Sequence, residues 1–156
     1  MSRRNKPEPR EIYPDRKFSS VPLQLLVHRV MRRGKKSTAE TIIYNAMDII
    51  QEKTGKNPVE VYDQALKNVG PIMEVRPRRV GGATYQVPIE VPASRRFTLA
   101  MRWIIDSAKA RAGKSFAEKL SAEIMDAANN QGTSVRKREE THKMAEANRA
   151  FSHFRV

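Results

Sequence analysis

No cysteine occurs in this sequence of 156 residues, which removes a disulfide framework, a thiolate metal site and a cysteine nucleophile together. Long apolar runs are missing too, and the longest fall far short of the ~20 residues that cross a bilayer. No membrane span is expected. The opening residues carry arginine but reach Pro7, Glu8 and Pro9 with no apolar stretch behind them. No secretory signal is read there, and retention in the compartment of synthesis is expected, the cytoplasm or, as the alternative, an organelle of bacterial type. Repeats of solenoid length are absent, because helix lengths and loop signals differ throughout.

Catalytic and metal-binding patterns are equally scarce. His28, His142 and His153 lie far apart, and Glu139 with His142 is a lone ligand-like pair that reads as surface pairing on a helix. The segment Ala108 to Ser115 ends in Gly-Lys-Ser, as a phosphate-binding loop does, but Ala108 stands where the first glycine is required and a helix precedes it. No serine has a nucleophile-elbow context, and no carboxylates stand out as an acid and base pair. No enzyme, cofactor or metal is expected.

Acidic residues are also few: 17 Asp and Glu face 30 Lys and Arg, a net charge of +13, where a small soluble domain carries a magnitude of about 2 to 8. The excess is segregated. Residues 1–36 hold eleven bases and three acids, and residues 75–114 hold nine and two, while 37–74 and 115–156 are near balance or acidic. Solvated helix faces interleave both signs, and these two blocks do not. A polyanionic partner is expected.

One folding unit over 1–156 accommodates this length. Residues 1–17 read as an extended basic arm without periodicity. Ser20 and Pro22 open a first helix with Leu23, Leu26, Val27 and Val30 on one stripe, ended by Gly34. Ser37 and Glu40 form a capping box for a second helix, which stops near Gly55. Asn57 and Pro58 start a third, closed by Gly70 and Pro71, so 20–70 holds three helices. From Ile72 the period changes to two, and Gly81-Gly82 marks a tight hairpin within 72–91. A two-residue turn places Arg78 opposite Tyr85 and Arg76 opposite Val87. Pro77 and Pro88 cannot donate to a ladder, so the ribbon stands outside any larger sheet, leaning on the helices at its base and on a partner at its tip. Residues 94–148 carry three more helices: one from Ser94 broken at Gly113, one capped by Ser115 with Glu118, and a charged, peripheral one from Thr133. Phe151 and Phe154 make the 149–156 tail too aromatic to be idle. The expected fold is mainly α, a six-helix body with one protruding two-stranded antiparallel β-hairpin and a basic N-terminal arm.

Guanidinium groups fork onto phosphate oxygens and stack on unpaired bases, which suits Arg76, Arg78, Arg79, Arg95, Arg96 and Arg102 to RNA. Tyr85 offers a stacking surface, and Gly81 and Gly82, read as a plain hairpin turn, are compatible with RNA binding and are counted with this face. In Arg32, Arg33, Gly34, Lys35 and Lys36 the glycine frees the backbone to reach a phosphate at the start of the next helix. Arg3, Arg4, Lys6 and Arg10 of the arm, and Arg111 and Lys114 of the turn before Ser115, complete the candidate RNA-binding residues. The same hairpin suits a second reading, an architectural DNA-binding protein with a basic β arm, which requires a dimer to straddle the duplex.

Several runs resemble one family. Gly34-Lys35-Lys36, Tyr44-Asn45-Ala46-Met47-Asp48 and above all Met73-Glu-Val-Arg-Pro-Arg-Arg-Val-Gly-Gly-Ala-Thr-Tyr-Gln-Val-Pro-Ile-Glu-Val91 are similar to bacterial-type small-subunit (30S) ribosomal protein seven. So are Arg95-Arg96, Arg102-Trp103-Ile104, Lys137 to Glu140 and Met144 to Phe151. The resemblance covers essentially the whole chain. It implies binding to the 3′ major domain of 16S rRNA, nucleation of head assembly, and a hairpin near the E-site tRNA and the mRNA exit. It further implies neighbouring small-subunit proteins, among them protein eleven facing the C-terminal helix, and no homo-oligomer. Lys35, Lys36, Arg76, Arg78, Arg79 and the Arg111 to Lys114 turn correspond to the family's rRNA contacts. Members of the family can also bind their own messenger to repress translation. Many members end in an aromatic residue where this chain has Val156.

Overall fold

A computed structural model of the protein describes residue 8 and residues 10–154; Arg3, Arg4, Lys6 and Val156 lie outside the described residues. The helices are α1 (Val21–Val30), α2 (Lys36–Thr54), α3 (Pro58–Val69), α4 (Ala93–Ala110), α5 (Phe116–Ala128) and α6 (Thr133–Ala147). Strands β1 (Met73–Val80) and β2 (Ala83–Glu90) lie between α3 and α4, and a 3₁₀ turn, Arg149–Phe154, follows α6. The mainly helical fold with one two-stranded antiparallel sheet is therefore the one expected.

Local chemistry accounts for most boundaries. The Ser20 side chain accepts from the Leu23 N–H, Asn57 from Val59 and Ser115 from Glu118, each satisfying a donor that the first helical turn leaves open. Gly55 ends α2 in the left-handed conformation at φ 65°. Two expectations fail at the α1–α2 junction. Helix α1 stops at Val30 rather than Gly34, and the Ser37–Glu40 capping box does not form. Arg33 and Gly34 both take positive φ, 53° and 72°, and the Lys35 N–H donates to the Arg32 carbonyl, the pattern of a type I′ turn. The chain leaves that turn directly into α2 at Lys36. Ser37 is already inside the first turn, and Glu40 pairs with Lys36 at 3.5 Å instead.

The basic arm has no helix or strand from Arg10 to Pro14, as expected, but its end is pinned. Asp15 is buried and accepts from the backbone N–H groups of Lys17, Phe18 and Ser20. Lys17 pairs with Asp48 at 2.6 Å, and Phe18 packs on Tyr44.

Helix α5 lies at the centre of the body, packed against α2, α3 and α4. Its Leu120, Ile124 and Ala127 are fully buried beside Ile43 and Met47 of α2, Tyr62 and Val69 of α3 and Ile104 and Ala108 of α4 in one apolar cluster. Burial of each large side chain contributes roughly 1.5–3 kcal/mol. The Tyr62 hydroxyl is buried without a hydrogen-bond partner, and burial raises its pKa. Glu123 is also fully buried; its carboxylate accepts from the Ser134 N–H at 2.9 Å and hydroxyl at 2.6 Å. It thus caps the start of α6 from a neighbouring helix.

Helix α6 is largely exposed, as its charge pattern implies, yet it braces the base of the hairpin. The His142 Nε2 accepts from the Ile72 N–H at 2.9 Å, and Arg138 donates to the Asn68 carbonyl. Burial, with the Arg138 charge adding to it, holds the His142 pKa below its ordinary value, which keeps Nε2 an acceptor.

Candidate nucleic-acid interface

Hairpin register sets which arginines act together. Glu74 pairs with Ile89, Arg76 with Val87 and Arg78 with Tyr85, while Arg79 pairs with Thr84. Directly opposed residues share a face, and the face alternates along each strand. Arg76, Arg78 and Tyr85 therefore lie on one side and Arg79 on the other. Gly81 and Gly82 close the tip with φ of 58° and 89°, again the type I′ pattern that lets strands keep their twist. Burial falls from base to tip: Glu74, Val87 and Pro88 are buried, whereas Arg78, Arg79 and the glycines are exposed.

A single acid organises the base. Glu74, only 7% exposed, accepts from the Arg95 Nε at 2.7 Å and Nη2 at 2.8 Å and from the Arg76 Nε at 2.9 Å. The forked bond from Arg95, reinforced by Arg76, holds the Glu74 carboxyl below the usual carboxylate range. Sequence reading missed this role, though the i, i+2 spacing of Glu74 and Arg76 on a strand was a usable signal.

Other predicted residues divide between open and engaged. Arg10, Arg32, Arg33, Lys35, Arg102 and Lys114 are exposed. Arg96 lies across Gly70: a Cβ there would meet the Arg96 Cγ at 2.7 Å, so the glycine admits the arginine stem. Arg111 lies 3.4 Å from the buried Glu123 and also pairs with Asp126, so its charge is already balanced inside the protein. The Tyr85 ring packs against Phe154 at 4.9 Å and Phe151 at 5.3 Å between centroids. The ring anticipated as a stacking surface for a base thus already packs on the chain's own tail and stays partly exposed, a contact that joins residues too far apart in sequence for periodicity to reveal.

Helix α4 connects the parts. Arg95, Arg102 and Lys109 recur every seven residues, about 700° of helical rotation, and so share a stripe along it. Arg95 meets the hairpin through Glu74, and the Arg29 guanidinium of α1 donates to the Thr98 carbonyl of α4 at 3.5 Å. The two basic blocks of the sequence are thereby joined along one helix. Among the described residues no cluster of three metal-binding side chains occurs and no helix is long and apolar enough to cross a membrane.

The family model described as Ribosomal protein S7p/S5e matches residues 2–149. Curated relatives named "Small ribosomal subunit protein uS7" include those of Xanthobacter autotrophicus, 60% identical, Pelotomaculum thermopropionicum, 59%, and Thermomicrobium roseum, 57%. Each alignment runs over 155 residues and covers 99% of both chains.

Proposed function

The chain belongs to the ribosomal protein S7p/S5e family, and from this premise we propose that it anchors small-subunit ribosomal RNA on the surface formed by the hairpin, the α4 stripe and the Arg32–Lys36 turn. It is a bacterial-type protein of the small ribosomal subunit, an RNA-binding component of translation and not an enzyme, and its partners are ribosomal RNA and ribosomal proteins. The finer reading is that it binds the 3′ major domain of 16S rRNA in the cytoplasmic ribosome and nucleates head assembly. The hairpin then reaches toward the E-site tRNA and the mRNA exit, and α6 faces protein eleven.

The observation that carries the assignment of the face is the arginine–lysine stripe of α4, on which Arg95 engages the hairpin through Glu74, Arg102 is exposed and Lys109 lines one cavity with Arg32 of the α1–α2 turn. A rigid helix fixes the spacing of these cations, so no backbone has to be ordered when they meet phosphates, and only their side chains lose freedom, at about 0.5–1.5 kcal/mol each. If about 6 to 10 phosphates are neutralised, affinity falls roughly 10³ to 10⁵-fold between 50 and 200 mM salt. Replacing Arg76, Arg78 and Arg79 with alanine is expected to weaken binding to a small-subunit rRNA fragment and flatten that salt slope, at a stability cost of about 1.5 kcal/mol or less, because Arg95 keeps Glu74 paired when Arg76 is lost. Unchanged affinity in the triple variant would remove the hairpin from the RNA face. A footprint of the bound protein on small-subunit rRNA tests the 3′ major domain assignment.

A further inference from the structure

Between the last turns of α1 and α4 and the first turn of α5 lies a cavity of about 340 Å³. Its cationic lining is Arg29, Arg32 and Lys109, and its apolar floor includes Ile42, Ile105 and Phe116. Among the described residues no carboxylate lines it. Asp106 pairs with Lys109 from outside the lining, but at 3.4 Å and between exposed groups, so the pair is weak and screened. The Arg29 bond to the Thr98 carbonyl is long and exposed as well, and its release costs little. Ile42 and Phe116 are left partly open to solvent beside these cations.

We propose that this cavity receives one unpaired nucleotide of the bound RNA, with the base on Phe116, Ile42 and Ile105 and the phosphate on Arg29, Arg32 and Lys109. Duplex phosphates need cations but no apolar floor, whereas an extruded base needs both a flat apolar contact and a nearby cation. The volume is near the low end of the about 300–1,000 Å³ typical of small-ligand sites, a match for one nucleotide and too confined for a helix. Position supports the same occupant. Arg32 belongs to the turn entering α2, and Phe116 directly follows the Gly113–Ser115 turn, so the cavity sits between two stretches of the basic surface. The inference rests on the RNA-binding reading and adds that part of this RNA is single-stranded and splayed at α1.

The test is a titration of the full chain with adenosine 5′-monophosphate, followed by methyl and aromatic NMR, with ribose 5-phosphate as the control. Saturable shifts of the Ile42 and Ile105 methyls and the Phe116 ring with the nucleotide, absent with the sugar phosphate, are the expected result. The Arg29→Ala, Lys109→Ala variant should then bind about tenfold more weakly while its spectrum stays folded. No saturable shift through about 10 mM nucleotide, or equal shifts with ribose 5-phosphate, overturns the proposal. A silent cavity together with lost rRNA affinity in the Arg76, Arg78, Arg79 variant sinks the nucleotide site alone; full affinity in that variant sinks the RNA face itself.

Discussion

Around α5 the chain is held by apolar packing, with Leu120, Ile124 and Ala127 fully buried, while the hairpin buries only Val87 and Pro88 of its apolar residues and is otherwise held by polar and aromatic contacts. Those contacts are the Glu74 pairs, the His142 bond to Ile72 and the Tyr85 ring against the tail. Packing is indifferent to salt and pH over the ordinary range; ion pairs and a neutral imidazole are not. A ribbon held this way can be aimed from its base while its tip stays free for a partner. The body supplies rigidity and the hairpin supplies reach.

The largest expected effect breaks the body. Ile124→Ala should cost about 2–5 kcal/mol in urea unfolding, because the surrounding helices cannot collapse into the space, and RNA binding should fall only as the folded fraction falls. A smaller loss would mean that α5 is not the centre of the core. Next is Glu74→Gln, which removes the charge holding Arg95 and Arg76 and should cost about 1.5–3 kcal/mol. Hydrogen exchange should show the loss in β1 and β2 amides with α5 unaffected. Since the Glu74 pKa is depressed by folding, its contribution is present above the unfolded carboxylate value and disappears as pH falls through the folded one. The variant and the parent should therefore converge in acid. His142 acts in the same direction, because its folded pKa is also lowered and acid converts the Ile72 acceptor into a donor. Parallel pH curves for the variant and the parent would exclude the Glu74 linkage. The smallest effect is expected for Phe151→Ala with Phe154→Ala, about 0.5–1.5 kcal/mol for each ring pair lost. Faster exchange confined to β2 would match the contact with Tyr85; exchange unchanged there would show that the tail does not steady the hairpin.

Much of this architecture was legible in the residues. The helices followed from apolar spacing and side-chain caps, and the hairpin register followed from Gly81-Gly82, because both signals act within a few residues. The capping box at Ser37 misled because a turn of two left-handed residues upstream set where α2 begins. The charge blocks identified the kind of partner, and the runs from Met73 to Val91 identified the family.

What the sequence by itself determined was therefore local conformation, the sign of the partner and kinship, each encoded in neighbouring residues or in a sum over them. Tertiary structure alone decided which cations remain open. Arg111 is balanced by Glu123 and Asp126, Arg76 and Arg95 share Glu74, and Tyr85 packs against Phe151 and Phe154. Arg29, Arg32 and Lys109 meet around one cavity. Charge neutralisation and stacking depend on distances of a few ångströms between residues remote in the chain, and only the packing of α1, α4, α5 and the hairpin sets those distances.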